Sequence, residues 1–430
     1  MDVKPGYKQT ELGVIPEDWI VEPLLQRLRK PPSYGINAPA IPFDSRFPTY
    51  LRITDITDDG RFSEATKVSV DHSASASHLL EPGDVVFART GASVGKSYRY
   101  NPDDGRLVCA GFLIRICPDC ERMIPAFLAY FAQSRTYWNW VKVNSMRSGQ
   151  PGINGREYAR LPVPLPPTKV EQEAIVEALG DADVFIESLE DLLVKKRQVK
   201  QGAMQELLTG KKRLPGFQIL SNYKNTEVGV IPGDWNSISI SGVADKVTVG
   251  FVGSMAHLFT PDGVPLLRGQ NVLPNRIDLT DTLFISAETH KRWKKSALQY
   301  GDVVMVRVGY PGTSCVIPDN LGEANAASLV VVRPIQEKLS AEFLSLIINS
   351  DFGKRQIESY LVGGAQQVLN TTTAAGFQLP LPTKAEQDAI AAILSDMDAE
   401  IAALEDKLTK ARNLKQGMMQ ELLTGRIRLI

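Results

Sequence analysis

The sequence predicts an α+β protein: two modules of mixed sheet and helix, separated by two long antiparallel coiled-coil helices and related by an internal pseudo-twofold repeat. Three observations predict it. The phrase QELLTG stands at residues 205–210 and returns at 420–425. Residues 196–214 and 411–429 share 13 identities in 19 places, against roughly one in seventeen from average residue usage. Each half also carries short β-rich runs followed by a long stretch of helical period.

Composition sets the limits. A chain of 430 residues, 43% of them apolar, supports two to four domains with cores that need no disulfides. Lys plus Arg number 48 and Asp plus Glu 49, a balance that neither requires nor excludes a polyanionic partner. Cys109, Cys117, Cys120 and Cys315 are too few and too scattered for a disulfide framework. The opening MDVKPGYKQTELG lacks the apolar stretch of a signal peptide, and no apolar run reaches 18 residues, so a soluble cytoplasmic protein without a membrane partner is expected.

The elements follow in order, twice. TELGVIPEDW at residues 10–19 opens the first half, and TEVGVIPGDW at 226–235 opens the second. The turn signals PGD (82–84) and YGD (300–302) precede the β-rich runs of GDVVFARTG and GDVVMVRVG. FLIRI (112–116) and LVVVR (329–333) add strands, and PAFLAYFAQS and AEFLSLIINS read as helices. The modules close on loops bearing Gly and Gln, SGQPGIN at 148–154 and GGAQQVLN at 363–370.

After each loop comes the helix. Ile175, Leu179, Ala182, Ile186, Leu189 and Leu193 recur at spacings of 4 and 3, and the register continues through Lys196, Lys200, Ala203 and Leu207. Ile390, Leu394, Met397, Ile401, Leu404 and Leu408 match them, followed by Ala411, Lys415, Met418 and Leu422. Such spacing lays one apolar seam along a helix and favours supercoiling with a partner. Capping boxes at Thr168–Glu171 and Thr383–Glu386 start the helices after prolines, and Gly210 and Gly425 suit their C-caps. Gly202 and Gly417, at matching interior places, predict a close helix contact or a bend. The nearest surface able to cover one seam is the other copy. Connectivity then makes the pair antiparallel, puts the modules at opposite ends, and returns the C-terminal stretch to the entry segment near residue 10. Ordinary core helices or a homodimeric coiled coil are the alternative reading. The division is residues 1–167, entry segment and first module; 168–210, first long helix; 211–382, linker and second module; and 383–425, second long helix.

In this order, twice over, GVIPEDW, GDVVFARTGASVGKS with its echo GDVVMVRVGYPGTSC, the loop before LPVPLPP, and EQEAI leading to QELLTG resemble the specificity subunit of Type I restriction-modification systems. The resemblance covers nearly the whole chain. It implies that each module is a target recognition domain reading one half of a bipartite, asymmetric site in double-stranded DNA, and that the helices set the unread spacer. It further implies docking of two methyltransferase subunits and, through them, translocase/nuclease subunits. S-adenosylmethionine, ATP and Mg then belong to those partners, with no cofactor, metal or catalysis in this chain. One departure stands out: Thr90, Lys96 and Ser97 face Val308, Ser314 and Cys315 in the second module.

Arg and Gln are the side chains that pair bidentately with G and A edges in the major groove. The candidate DNA-binding residues are Arg52, Arg89, Thr90, Ser93, Lys96, Arg147 and Gln150 in the first module. In the second they are Arg268, Gln270, Asn271, Arg307, Tyr310, Gln366 and Gln367. HKRWKK (290–295) reads as the exposed face of a short helix, with phosphate contact as its other use.

Rival chemistries fit less well. GASVGKS (91–97) has three residues, not four, between its first Gly and the Gly-Lys pair, and the SYRY that follows reads as strand, against a P-loop. CPDC (117–120) has no second ligand pair, and the four histidines lie in no ligand spacing. Neither a cofactor fingerprint nor an adenine-methyltransferase motif is present. A structural adaptor, its coiled coil joining two protein-binding modules, is the alternative; the absence of salt-sensitive DNA affinity would mark it. A nucleotide-dependent enzyme using residues 91–97 comes third.

Overall fold

A computed structural model gives the structure of the protein and describes residues 4–146, 150–217, 222–361 and 368–429. The chain parts into two compact units, residues 1–190 with 406–430, and residues 191–405.

In the first unit, Val85–Ala88 is a strand with all four residues buried, because it is covered on both faces. Val85 and Phe87 point into a core shared with Phe127, Phe131, Tyr137 and Ile175. Val86 and Ala88, one pleat out of phase, enter a second core with Leu51, Tyr98 and Leu107. The antiparallel sheet around it runs Leu28–Tyr34, Leu113–Pro118, Val85–Ala88, Ser97–Arg99. A second four-stranded sheet is mixed, with Leu107–Cys109 parallel to Thr49–Leu51.

The second unit repeats the plan. Its antiparallel sheet runs Ala244–Val249, Leu329–Pro334, Val303–Val306, Ser314–Val316. Val303 and Met305 enter the core with Phe343 and Ile390, while Val304 and Val306 enter the other with Leu267 and Leu329. Its companion sheet has five strands and the same parallel element, here Val264–Leu267 with Ala324–Ala326. The helices foreseen in sequence are Pro125–Phe131 and Ala341–Asn349. The proline-rich stretches before the long helices form strands as well: Pro162–Leu165 pairs with Ile20–Pro23, and Gln378–Leu381 with Asn236–Ser239. Prolines fit there because each of these sheets has only two strands, and every strand is an edge.

The long helices are Lys169–Leu207 and Lys384–Leu422, 39 residues each, or about 58 Å at 1.5 Å per residue. The seam residues Ile175, Leu179, Ile186, Leu189 and Leu193 are buried, as are Ile390, Leu394 and Leu408. Within each unit the helix segments run antiparallel. Asp183 pairs with Lys415 at 2.6 Å and Glu190 with Arg412 at 2.6 Å in the first unit. Lys200 with Asp398, and Arg197 with Glu405 at 2.5 Å, are the same two pairs in the second. The lysines at seam positions thus carry their ammonium groups to carboxylates on the facing helix.

The repeated phrases meet at a joint built twice. Gly210 (φ +68°) and Gly425 (φ +69°) end the helices in the left-handed region, which favours glycine. A Cβ on either would stand 2.5 Å from a proline of the entry segment, Pro232 or Pro16. Beside them lie Trp235 and Trp19, both almost wholly buried. Arg213 donates to both carboxylate oxygens of Asp234 (2.9 and 2.9 Å) and of Glu386 (2.7 and 2.8 Å). In the first unit Arg428 bridges Asp18 (3.0 Å) and Glu171 in the same way, and the Tyr7 hydroxyl donates to the Gly425 carbonyl at 3.3 Å. The C-terminal stretch therefore does return to the entry segment.

Two expectations change. Thr168 and Thr383 cap the backbone N–H of Glu171 and Glu386, but the glutamate carboxylates are drawn to Arg428 and Arg213, whose full charge outbids a backbone N–H. Gly202 and Gly417 mark no close contact, since a Cβ at either meets open space and each helix continues through.

Candidate functional site

The central strand of each module runs into a tight turn. In the first module Ala88 and Lys96 close it, the Ala88 N–H donating to the Lys96 carbonyl at 2.8 Å and Gly95 N–H to Ala88 at 2.9 Å. The loop at 150–153 is laced alongside: Ile153 N–H donates to the Arg89 carbonyl (2.8 Å) and Gly91 N–H to Pro151 (3.1 Å). The Thr90 hydroxyl donates to Pro151 at 3.4 Å, and the Gln150 amide nitrogen lies 3.2 Å from where a Cβ on Gly91 would stand. Arg89 lies over the Tyr34 ring, 4.8 Å from its centroid, a cation-π geometry that stiffens the guanidinium. The turn and the loop laced to it thus bring Arg89, Thr90, Ser93 and Gln150 into one neighbourhood.

Arg52 and Lys96 are committed elsewhere. Arg52 makes a fork to buried Asp55 (2.9 and 2.7 Å) and also donates to the Thr66 carbonyl (2.7 Å). The Asp55 hydrogen bond holds that guanidinium above its ordinary pKa. Lys96 Nζ sits 2.7 Å from Asp58, and this contact holds the exposed Asp58 carboxyl below the usual carboxylate value. The hairpin bearing Asp58 continues to Arg61, which reaches Glu190 of the long helix at 3.3 Å.

In the second module Val306 N–H donates to the Thr313 carbonyl (2.8 Å) and Gly312 N–H to Val306 (2.9 Å). This register aligns Lys96 with Thr313 and Ser97 with Ser314. The match of Lys96 and Ser97 to Ser314 and Cys315 drawn from sequence is corrected accordingly: the second turn is one residue shorter. Arg307 is half-buried, its Nε donating to the Leu369 carbonyl at 3.1 Å, while Tyr310 is 84% exposed. Arg268, Gln270 and Asn271 form a turn near the end of this strand, a Cβ on Gly269 falling 3.5 Å from Val306. Arg268 donates to the Asp281 carbonyl (3.0 Å), as does Gln270 (3.5 Å). Asn271, 1% exposed, spends its amide on Arg268 N–H and the Asp278 carbonyl, so it builds the turn rather than facing out of it. Arg147, Gln366 and Gln367 lie outside the described residues.

Other motifs resolve as follows. A strand, Ser97–Arg99, follows Lys96 where a P-loop opens a helix. Burial pushes the Cys117 thiol up to about 11 and the Cys109 and Cys315 thiols up to about 12, which keeps them protonated and inert. Among the described residues no group of three or more His, Cys, Asp or Glu is placed to hold a metal ion, and no helix is long and apolar enough to cross a membrane. HKRWKK is exposed on a short helix only in part: Lys291 and Arg292 end the helix Ala287–Arg292 and are exposed, as are Lys294 and Lys295 in the 3-10 turn after it, while His290 and Trp293 are half-buried. Its Trp293 stacks on Phe251 at 3.7 Å.

Sequence reasoning missed Tyr34, Asp55, Asp58, Val308 and the joint arginines Arg213 and Arg428. For the arginines a signal existed, since both stand three residues after a repeated TG.

The comparisons agree with this plan. The family model for the Type I restriction modification DNA specificity domain matches residues 48–195 and 232–412. The putative Type I restriction enzyme MjaX specificity subunit of Methanocaldococcus jannaschii is 26% identical over 99% of this chain and 97% of its own length. The MjaVIII specificity subunit of the same organism is 23% identical over 99% and 96%. The fold of the Type I restriction-modification S subunit from M. genitalium matches with a TM-score of 0.59 at 12% identity, covering 98% of both chains. With two matched domains spanning most of its length, on a frame whose central antiparallel sheet recurs in the same strand order, the chain belongs to the Type I restriction-modification DNA specificity family.

Proposed function

We propose that the chain is the DNA-recognition subunit of a Type I restriction-modification enzyme, in which each module reads one half of a bipartite, asymmetric site. One observation carries the reading: the two modules keep the same strand order in the central antiparallel sheet and a turn closed in the same way after its central strand, one residue shorter in the second, yet present different side chains on it. Matching frames with unlike tips are what two unlike half-sites require. The long helices are the natural parts to fix the number of unread base pairs, and their repeated, partly exposed surfaces offer equivalent docking places to two methyltransferase subunits. Translocase/nuclease subunits then join through those. In this reading the chain is itself non-catalytic, works in the cytoplasm, and leaves S-adenosylmethionine, ATP and Mg to its partners.

The test is a module exchange. Replacing residues 20–160 with the equivalent module of another such subunit changes the modified sequence in one half-site and leaves the other half as it was, read by mapping methylated bases. A change in both halves, or in neither, refutes modular reading.

A further inference from the structure

The matched turns differ in chemistry. In the first module the turn and its neighbouring loop present Thr90, Ser93 and Gln150, all hydrogen-bonding groups. The second module presents Val308, 60% exposed, and Tyr310, 84% exposed. Water is a poor environment for both, and the frame beneath them is firm. Thr313 N–H donates back to the Tyr310 carbonyl at 3.2 Å, and Arg307 and Leu369 are joined both by backbone (3.0 Å) and through the Arg307 side chain. Gly312 (φ +90°) packs so tightly on Ile357 that no Cβ fits. The tip is thus held outward by the core rather than left loose.

We propose that Val308 and Tyr310 form an apolar reading tip with which the second module grips base-pair edges of double-stranded DNA. The proposal rests on the DNA-recognition role argued above. Charge complementarity favours this occupant. Lys354 and Glu358 share with Tyr310 the lining of a cavity of about 350 Å³, Arg355 follows Lys354 in an exposed stretch of the helix that Asp351 begins, and Arg307 roots the turn, three cations against two acids. Cations beside an apolar tip suit a groove whose walls are phosphates and whose floor carries thymine methyls and base edges. The first half-site is then read mainly by hydrogen bonds, the second by apolar contact.

The experiment selects bound duplexes from a library randomised in both half-sites, using the full chain with its modification partner. Tyr310→Ala relaxes selection at one or two adjacent positions of one half-site and weakens binding about 5- to 150-fold, the range for losing one base-pair contact in a duplex site. Tyr310→Phe keeps both. Tyr300→Ala, which removes a 61% exposed ring at the other end of the same strand, behaves as wild type. Unchanged selection by Tyr310→Ala overturns the tip while leaving DNA recognition standing. Unchanged selection combined with weakened partner association makes the tip a protein contact, which also overturns it. If the wild-type chain binds no duplex in a salt-sensitive way, the recognition role fails and the tip with it.

Discussion

Removing Arg213 tests the joint that the sequence writes twice. Its guanidinium serves two carboxylates, and Glu386 is only 1% exposed, with the Trp235 indole N–H as its other donor at 3.2 Å. Arg213→Ala strands a buried carboxylate without a counter-charge, a change that costs about 3–5 kcal/mol against the roughly 5–15 kcal/mol that holds a domain together. Arg213→Met with Glu386→Gln and Asp234→Asn removes all three charges of the joint and keeps most of the volume, so its loss stays below about 2 kcal/mol. Arg428→Ala costs less than Arg213→Ala: Glu171 is as buried as Glu386, but the second carboxylate it leaves, Asp18, is 52% exposed against 11% for Asp234, and water screens it. Urea unfolding followed by tryptophan fluorescence measures all three. A loss under about 1 kcal/mol for Arg213→Ala, or a triple variant as damaged as the single one, refutes the argument that stranded buried carboxylates set the cost.

Two further outcomes follow from the same joint and its helices. The Arg213 hydrogen bond holds the Asp234 carboxyl below its ordinary value of 3.8, so the stabilisation is complete above that value and drains as pH falls through the depressed one; in urea midpoints taken between about pH 2.5 and 5, the Arg213→Ala variant lacks this part of the acid limb. Gly417→Ala, in open space within a helix, stabilises by about 0.5–1 kcal/mol. Gly425→Ala destabilises by about 2 kcal/mol or more, since alanine resists φ +69° and its Cβ meets Pro16; equal shifts for the two in thermal melts would refute the distinction.

The fold was legible wherever one physical cause dominated. Seam periodicity located both helices because burial along one face is a repeating constraint, and VVFA and VVMV read as strands because two cores claim alternate residues. The strands at Pro162–Leu165 and Gln378–Leu381 were hidden, since proline lowers strand propensity and only their edge position redeems it. The candidate site was legible in part. Arg89, Thr90, Ser93 and Gln150 converge because a turn and a loop of one module are hydrogen-bonded together. Arg52 and Asn271 look alike in sequence to free polar readers, yet Asp55 and Asp278 claim them across gaps of three and seven residues. Such pairings are settled by geometry that residue type does not encode.

The two joints differ in how far along the chain their halves lie. In residues 191–405 the helix end that supplies Leu207 and Leu208 precedes Ile231 and Trp235 by a short linker, and the core they enter closes once Ile390 and Leu394 follow. In the other unit, Ile15 and Trp19 must wait for Met419, Leu422 and Leu423. The portion that emerges from the ribosome first is therefore sealed last, and until then its apolar floor is open to chaperones and proteases. A premature stop shortly before Met419 thus uncovers Ile15 and Trp19, about 400 residues away from the lesion.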